Sequence, residues 1–210
     1  MRCVSWLRMS LAAAAASIVL AAPIHAAPVE GRDYAKLPAP QPQETQGKIE
    51  VLEFFSYGCP HCDHLHPLIS KWAAQLPANV TFIRVPVSLG RPQWGQLVRA
   101  YYALQATGDL ARLDTPLFDA IHRQKQPLFS QANITNWVVQ QGVDAEKFTA
   151  AYNSFNVSTR ATHAEQLSRE YQLQGIPAIY VGGRYQVLGN DYPTMLTNAS
   201  HVIELVAAGK

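Results

Sequence analysis

The sequence predicts an α/β fold in which a block of helices interrupts the building of one sheet. Three observations carry that prediction. Ile49 to Phe55 (IEVLEFF) is an apolar, β-leaning run that leads through a turn into a helical pattern. The stretch from Pro92 to Ala164 shows helical periodicity and no strand. Strand patterns then return at Ala178 to Val181 and Tyr185 to Leu188, with Gly182-Gly183 between them as a hairpin turn. The expected organisation is a leader over 1–26, a sheet-bearing part over 27–91, a helical insertion over 92–164 and the remainder of the sheet over 165–210.

Arg2 and Arg8, an apolar stretch from Leu11 to Ala22 and the small residues around Ala26 have the grammar of a cleaved export signal. That stretch is 12 residues long, short of the roughly 20 that span a bilayer. Beyond it, hydrophobic residues at 48% supply a core, and charged residues at 15% argue against a disordered chain. Setting aside Arg2 and Arg8 balances 15 basic against 15 acidic residues, so no nucleic-acid footprint is expected. Cys3 leaves with the leader, and the mature chain keeps one pair, Cys59 and Cys62.

After the first strand, Ser56-Tyr57-Gly58 makes a turn, and Leu65, Leu68, Ile69, Trp72 and Leu76 space out one face of a helix. Pro60 suits the first turn of that helix, whereas Pro67 removes a backbone bond inside it and should bend it. Val80 to Val87 is the second strand. Helices follow at Trp94 to Gln105, Leu110 to Arg123 (interrupted by Pro116), Asn133 to Gln141 after Ser130, Ala145 to Asn153 after Asp144, and Thr159 to Tyr171 after Ser158. Trp94, Leu97, Tyr101 and Leu104 are expected to pack inside this block. Pro38 to Gln46 reads as a surface connection, and Pro193 to Ala207 as a last amphipathic helix.

A disulfide between Cys59 and Cys62 closes a loop of only four residues and is a poor structural staple. Asp63 after the second cysteine excludes the haem-attachment motif, which needs histidine there. A metal carrier is the alternative from another class: Cys59, His61, Cys62, His64 and His66 fall within eight residues and suit copper or zinc. Against it, no second cysteine pair is present, and His64 and His66 are expected to be solvated. The turn places Cys59 at a helix N-terminus, where the dipole and free N–H groups favour a thiolate, and His61 can add charge or a hydrogen bond. An exposed Cys59 backed by a sheltered Cys62 makes a dithiol exchange site, and a reduced form more stable than the oxidised one.

The run Phe54-Phe55-Ser56-Tyr57-Gly58-Cys59-Pro60-His61-Cys62, with Gly175-Ile176-Pro177-Ala178 about 115 residues later, resembles the bacterial DsbA family of thiol:disulfide oxidoreductases. The resemblance covers essentially the whole mature chain, including Gly31 to Leu37, Thr115 to Phe118 and Gln172 to Gln186. It implies a thioredoxin fold with an inserted helical domain, Pro177 in the cis form, and Ile176 and Pro177 holding an extended substrate peptide. Many members have valine before this proline, so Ile176 is a mild departure. The implied reaction gives the Cys59–Cys62 disulfide to reduced, unfolded exported proteins in the periplasm, with Pro60 and His61 tuning the pair. Electrons pass to a membrane quinone reductase of the DsbB type, and no nicotinamide, flavin or metal cofactor is expected. An isomerase would need a dimerisation domain. Only 22 residues lie between the expected cleavage site and the first strand, so a monomer is expected.

Glu53 is out of place in a buried strand unless it is paired, neutral or turned to solvent. The resemblance implies a buried acid that assists proton transfer to Cys62, with Arg84 as its partner.

Overall fold

A computed structural model describes residues 27–209; the expected leader over 1–26 lies outside the described residues. Five strands form one mixed sheet: β1 (Tyr34–Lys36), β2 (Ile49–Phe55), β3 (Val80–Pro86), β4 (Ala178–Val181) and β5 (Tyr185–Val187), in the order β1-β5-β4-β2-β3. β2 runs parallel to β3 and antiparallel to β4. The apolar run of β2 follows from that central place, since both of its faces are covered. Val51, Ile179 and Val181 face helices α1 (Pro60–Ala73) and α7 (Tyr192–Ala207), packing with Leu65, Ile69, Leu196, Val202 and Ile203. Leu52, Phe54 and Tyr180 point the other way, where Tyr171 meets both aromatic rings.

The helical block holds α2 (Pro92–Thr107), α3 (Leu110–His122), α4 (Gln131–Gln140), α5 (Ala145–Tyr152) and α6 (Phe155–Glu170). Leu97, Tyr101 and Leu104 are buried as expected, and Trp94 is half-buried. Gly108, left-handed at φ 86°, ends α2, and the Ser130 and Asp144 side chains cap α4 and α5.

Several expectations are corrected. The three-residue β1 was not foreseen. α3 runs through Pro116 without the expected interruption; α1 holds Pro67 in its interior and continues to Ala73. α6 begins at Phe155 because the Ser154 hydroxyl, not Ser158, accepts from the Val157 N–H at 3.1 Å. Residues 164 and 165 lie inside α6, as they did inside the expected helix. Leu68 is 41% exposed, so it lies off the buried face of α1, and Leu76 lies beyond that helix. The Pro38 to Gln46 connection is largely exposed but tethered: the Gln41 N–H donates to the Gly183 carbonyl at 2.7 Å. Gly183, at φ 66°, leaves no room for a side chain against that backbone.

Candidate active site

The end of β2 aims the chain at the site. Ser56 to Gly58 turns it, the Cys59 N–H bonds back to the Ser56 carbonyl at 3.1 Å, and Pro60 starts α1 where its missing N–H costs nothing. A side chain at Gly58 would run into the Trp94 indole, so the turn is pressed against α2. The Cys59 sulfur acts as the N-cap of α1, accepting from the Cys62 N–H at 3.4 Å. Antiparallel pairing of Phe54 with Ala178 brings the preceding residues, Ile176 and Pro177, beside the end of β2. The Ile176–Pro177 bond is cis, and the Cys59 thiol lies 3.7 Å from the Ile176 carbonyl oxygen.

Both cysteines are free thiols. Cys62 is fully buried, as expected, but Cys59 is only 4% exposed, because the Ile176 loop covers the sulfur that the sequence placed in solvent. The Cys59 thiol is drawn down to about 6. The Cys62 thiol's hydrogen bond is the largest cause, burial opposes it, and the backbone N–H groups of Cys62 and His61 and the charge of His61 assist. His61 thus acts mainly through its backbone; its ring is exposed and lies 3.4 Å from the Tyr192 hydroxyl. Burial drives the Cys62 thiol far upward, with the Cys59 bond and the Glu53 charge adding to the shift.

Glu53 is fully buried, which removes the solvent-facing alternative. Arg84 lies opposite it on β3 and donates from Nε to Oε2 at 2.6 Å. Two residues that sequence reasoning missed complete the cluster. Asp114 on α3 accepts from Arg84 Nη1 at 2.5 Å and from the Tyr57 hydroxyl at 2.5 Å. Burial holds the Glu53 carboxyl above its usual range, against the pull of Arg84 and with a push from Asp114. The only available signal was an acid, Asp114, in the otherwise apolar interior pattern of Leu113, Leu117 and Phe118.

His64 is exposed as expected, but His66 is 4% exposed. Its ring stacks on Phe118 and bonds the Thr115 hydroxyl at 2.9 Å, because this side of α1 meets α3 rather than solvent. Asp63 also faces α3 and pairs with Arg123 at 3.0 Å. His66 is thereby held away from the cysteines, and among the described residues no three His, Cys, Asp or Glu side chains are grouped to hold a metal ion. The carrier reading finds no support in this arrangement.

A first thiol that ionises readily, beside a second that is sealed and holds its proton, divides labour as dithiol exchange demands. On this sheet, facing a cis-proline loop, it places the molecule in the thioredoxin-fold class of thiol:disulfide oxidoreductases. Residues 50–200 match the DSBA-like thioredoxin domain family. The thiol:disulfide interchange protein DsbA of Bordetella pertussis is 37% identical over 208 residues, 97% of this chain and 98% of that protein. The Azotobacter vinelandii DsbA is 38% identical over 156 residues, 74% of this chain and 72% of that one. The crystal structure of Pseudomonas aeruginosa DsbA superposes with a TM-score of 0.80 at 34% identity, covering 86% of this chain and 96% of that one. For the Xylella fastidiosa oxidoreductase DsbA the values are 0.81, 32%, 87% and 100%. The chain belongs to the DsbA family, and it is a thiol:disulfide oxidoreductase with an α/β thioredoxin fold carrying inserted helices.

Proposed function

We propose that this enzyme oxidises reduced, unfolded exported proteins in the periplasm by donating the Cys59–Cys62 disulfide. A substrate thiolate attacks the Cys59 sulfur; the Cys59–Cys62 bond breaks and Cys62 leaves with the electron pair. Cys62 then takes a proton, which Glu53 supplies. The substrate's second thiolate attacks the sulfur that joins substrate to Cys59, and Cys59 leaves as a thiolate. The substrate loses two electrons as its disulfide forms, and the enzyme dithiol holds them until a DsbB-type quinone-linked membrane protein removes them. Ile176 and Pro177 hold the substrate peptide against Cys59, and Pro60 and His61 shape the turn that stabilises its thiolate. The helical unit lines the substrate surface and carries no exchange chemistry of its own. Export through a signal over 1–26 and action as a monomer complete this reading.

The observation that carries it is the unequal pair: an ionisable Cys59 against a Cys62 sealed beside Glu53. In the variant Cys62→Ala, a nucleophilic Cys59 has no resolving partner and should accumulate covalent adducts with reduced client proteins. On non-reducing gels these appear as bands that collapse with reductant and vanish when Cys59 is also replaced. Absence of adducts in Cys62→Ala would overturn the proposal.

A further inference from the structure

The buried cluster beneath the cysteines contains one more acid than its arginine can neutralise. With Glu53 and Asp114 both ionised and Arg84 positive, it would carry a net negative charge out of water, which is unfavourable unless one proton is taken up. Geometry decides where that proton goes. Asp114 receives two hydrogen bonds, from Arg84 Nη1 and from the Tyr57 hydroxyl, and its side chain is 19% exposed. Glu53 is wholly buried, receives one bond from Arg84 at Oε2, and its Oε1 has no partner. The better-solvated carboxylate keeps the charge, and the unpartnered Oε1 keeps the proton.

We propose that Asp114 is a positioning residue for the dithiol reaction: by sharing Arg84 and holding the negative charge of the cluster, it keeps a transferable proton on Glu53 for Cys62. This rests on Glu53 serving as the proton donor. Asp114 touches neither sulfur: its hydrogen bonds come from the Tyr57 hydroxyl and Arg84 Nη1, and Arg84 carries its influence to Glu53. The other titratable groups facing the cluster do not supply the missing positive charge. On α1, Cys62 stays protonated and His66 is kept neutral by burial. On α2, Tyr101 is pushed up to about 12, and in the turn Tyr57 is pushed well above the ordinary phenol range, so both remain neutral donors. β4 presents Ile179 opposite Glu53. Below the range in which His66 protonates, its ring 3.7 Å from Asp114 adds a positive charge and the proton on Glu53 is held less firmly.

The test is the pH profile of single-turnover oxidation of a dithiol peptide by the oxidised enzyme, compared across Asp114→Asn, Asp114→Glu and Glu53→Gln. The asparagine carbonyl still accepts from Tyr57 or Arg84, so the variant removes charge with little change in shape. The rate should fall above the pH at which Glu53 loses its proton. In Asp114→Asn that inflection should move to lower pH by about one unit, the size of effect expected from removing a neighbouring like charge. Asp114→Glu should return it towards wild type, and Glu53→Gln should abolish it. A carbon-13 titration of the Glu53 carboxyl should show the same shift without turnover. An inflection that is lost in Glu53→Gln but unmoved in Asp114→Asn overturns this inference and leaves Glu53 as donor. An inflection that survives Glu53→Gln overturns both.

Discussion

The reduced enzyme is expected to gain on the oxidised enzyme in unfolding free energy as the pH rises from about 6 to about 9, by about 2 kcal/mol. The Cys59 thiol is depressed from 9.0 to about 6 in the folded protein. A depressed acid contributes stability that is complete above the unfolded value and is lost as the pH falls through the folded one, so the gain accumulates across that window. The unscreened gain is about 3 kcal/mol, and solvent access to a partly buried sulfur reduces it. Cys62, driven upward, works oppositely: its contribution is complete below the unfolded value near 9.0 and declines above it, so the difference should peak near there. Closing a four-residue loop stabilises the oxidised form by about 2 kcal/mol in the chain-entropy account, independently of pH. On these figures the oxidised form leads by about 1 kcal/mol near neutrality, and the reduced form draws level as the pH approaches 9. Urea unfolding of both forms across this range measures the slope, and a flat difference would contradict the thiolate account.

Arg84→Ala should be the most damaging single change outside the cysteines, costing about 3–5 kcal/mol at neutral pH, since it leaves Glu53 and Asp114 without their shared cation. It also removes the guanidinium stacked 3.9 Å from the centre of the Phe55 ring. Glu53 is already raised, and losing Arg84 raises it further. A raised acid contributes stability that is complete below the unfolded value and is lost as the pH climbs through the folded one. The variant should therefore recover on acidification, as Glu53 holds its proton. Pairing the change with Asp114→Asn should recover part of the loss at neutral pH, because the carboxylate that holds the cluster's negative charge is removed. A deficit below about 1 kcal/mol at neutral pH would show that the cluster contributes little to the fold.

The strand β2 and its turn were legible because IEVLEFF and Ser-Tyr-Gly act locally: β-branched and aromatic residues, then residues that turn, then a proline that starts a helix. From these the position of Cys59 at the helix N-terminus follows, and the family motif supplied Pro177. What could not be read were the contacts made across the chain. His66 follows the cysteines by a turn of helix and looks solvated until α3 is laid against it. Cys59 looks exposed until the Ile176 carbonyl arrives from a segment more than a hundred residues away. Tyr57 and Asp114 are 57 positions apart, and although an acid on the apolar face of α3 stands out locally, its partner does not. Strand β1 is three residues long, too short for a periodicity to register, and Ser154 and Ser158 were equally good caps by residue type.

The proposed exchange requires Cys59 to be a thiolate at neutral pH while Cys62 keeps its proton. Following the ultraviolet absorbance of the reduced enzyme during a pH titration reads this directly, since only ionised sulfur contributes the thiolate band. One sulfur should titrate with a midpoint near 6, the signal should disappear in Cys59→Ala, and Cys62 should stay silent up to the pH of unfolding. A single midpoint near 9.0, the ordinary thiol value, or two sulfurs ionising together, would contradict the division of labour on which the proposed mechanism rests.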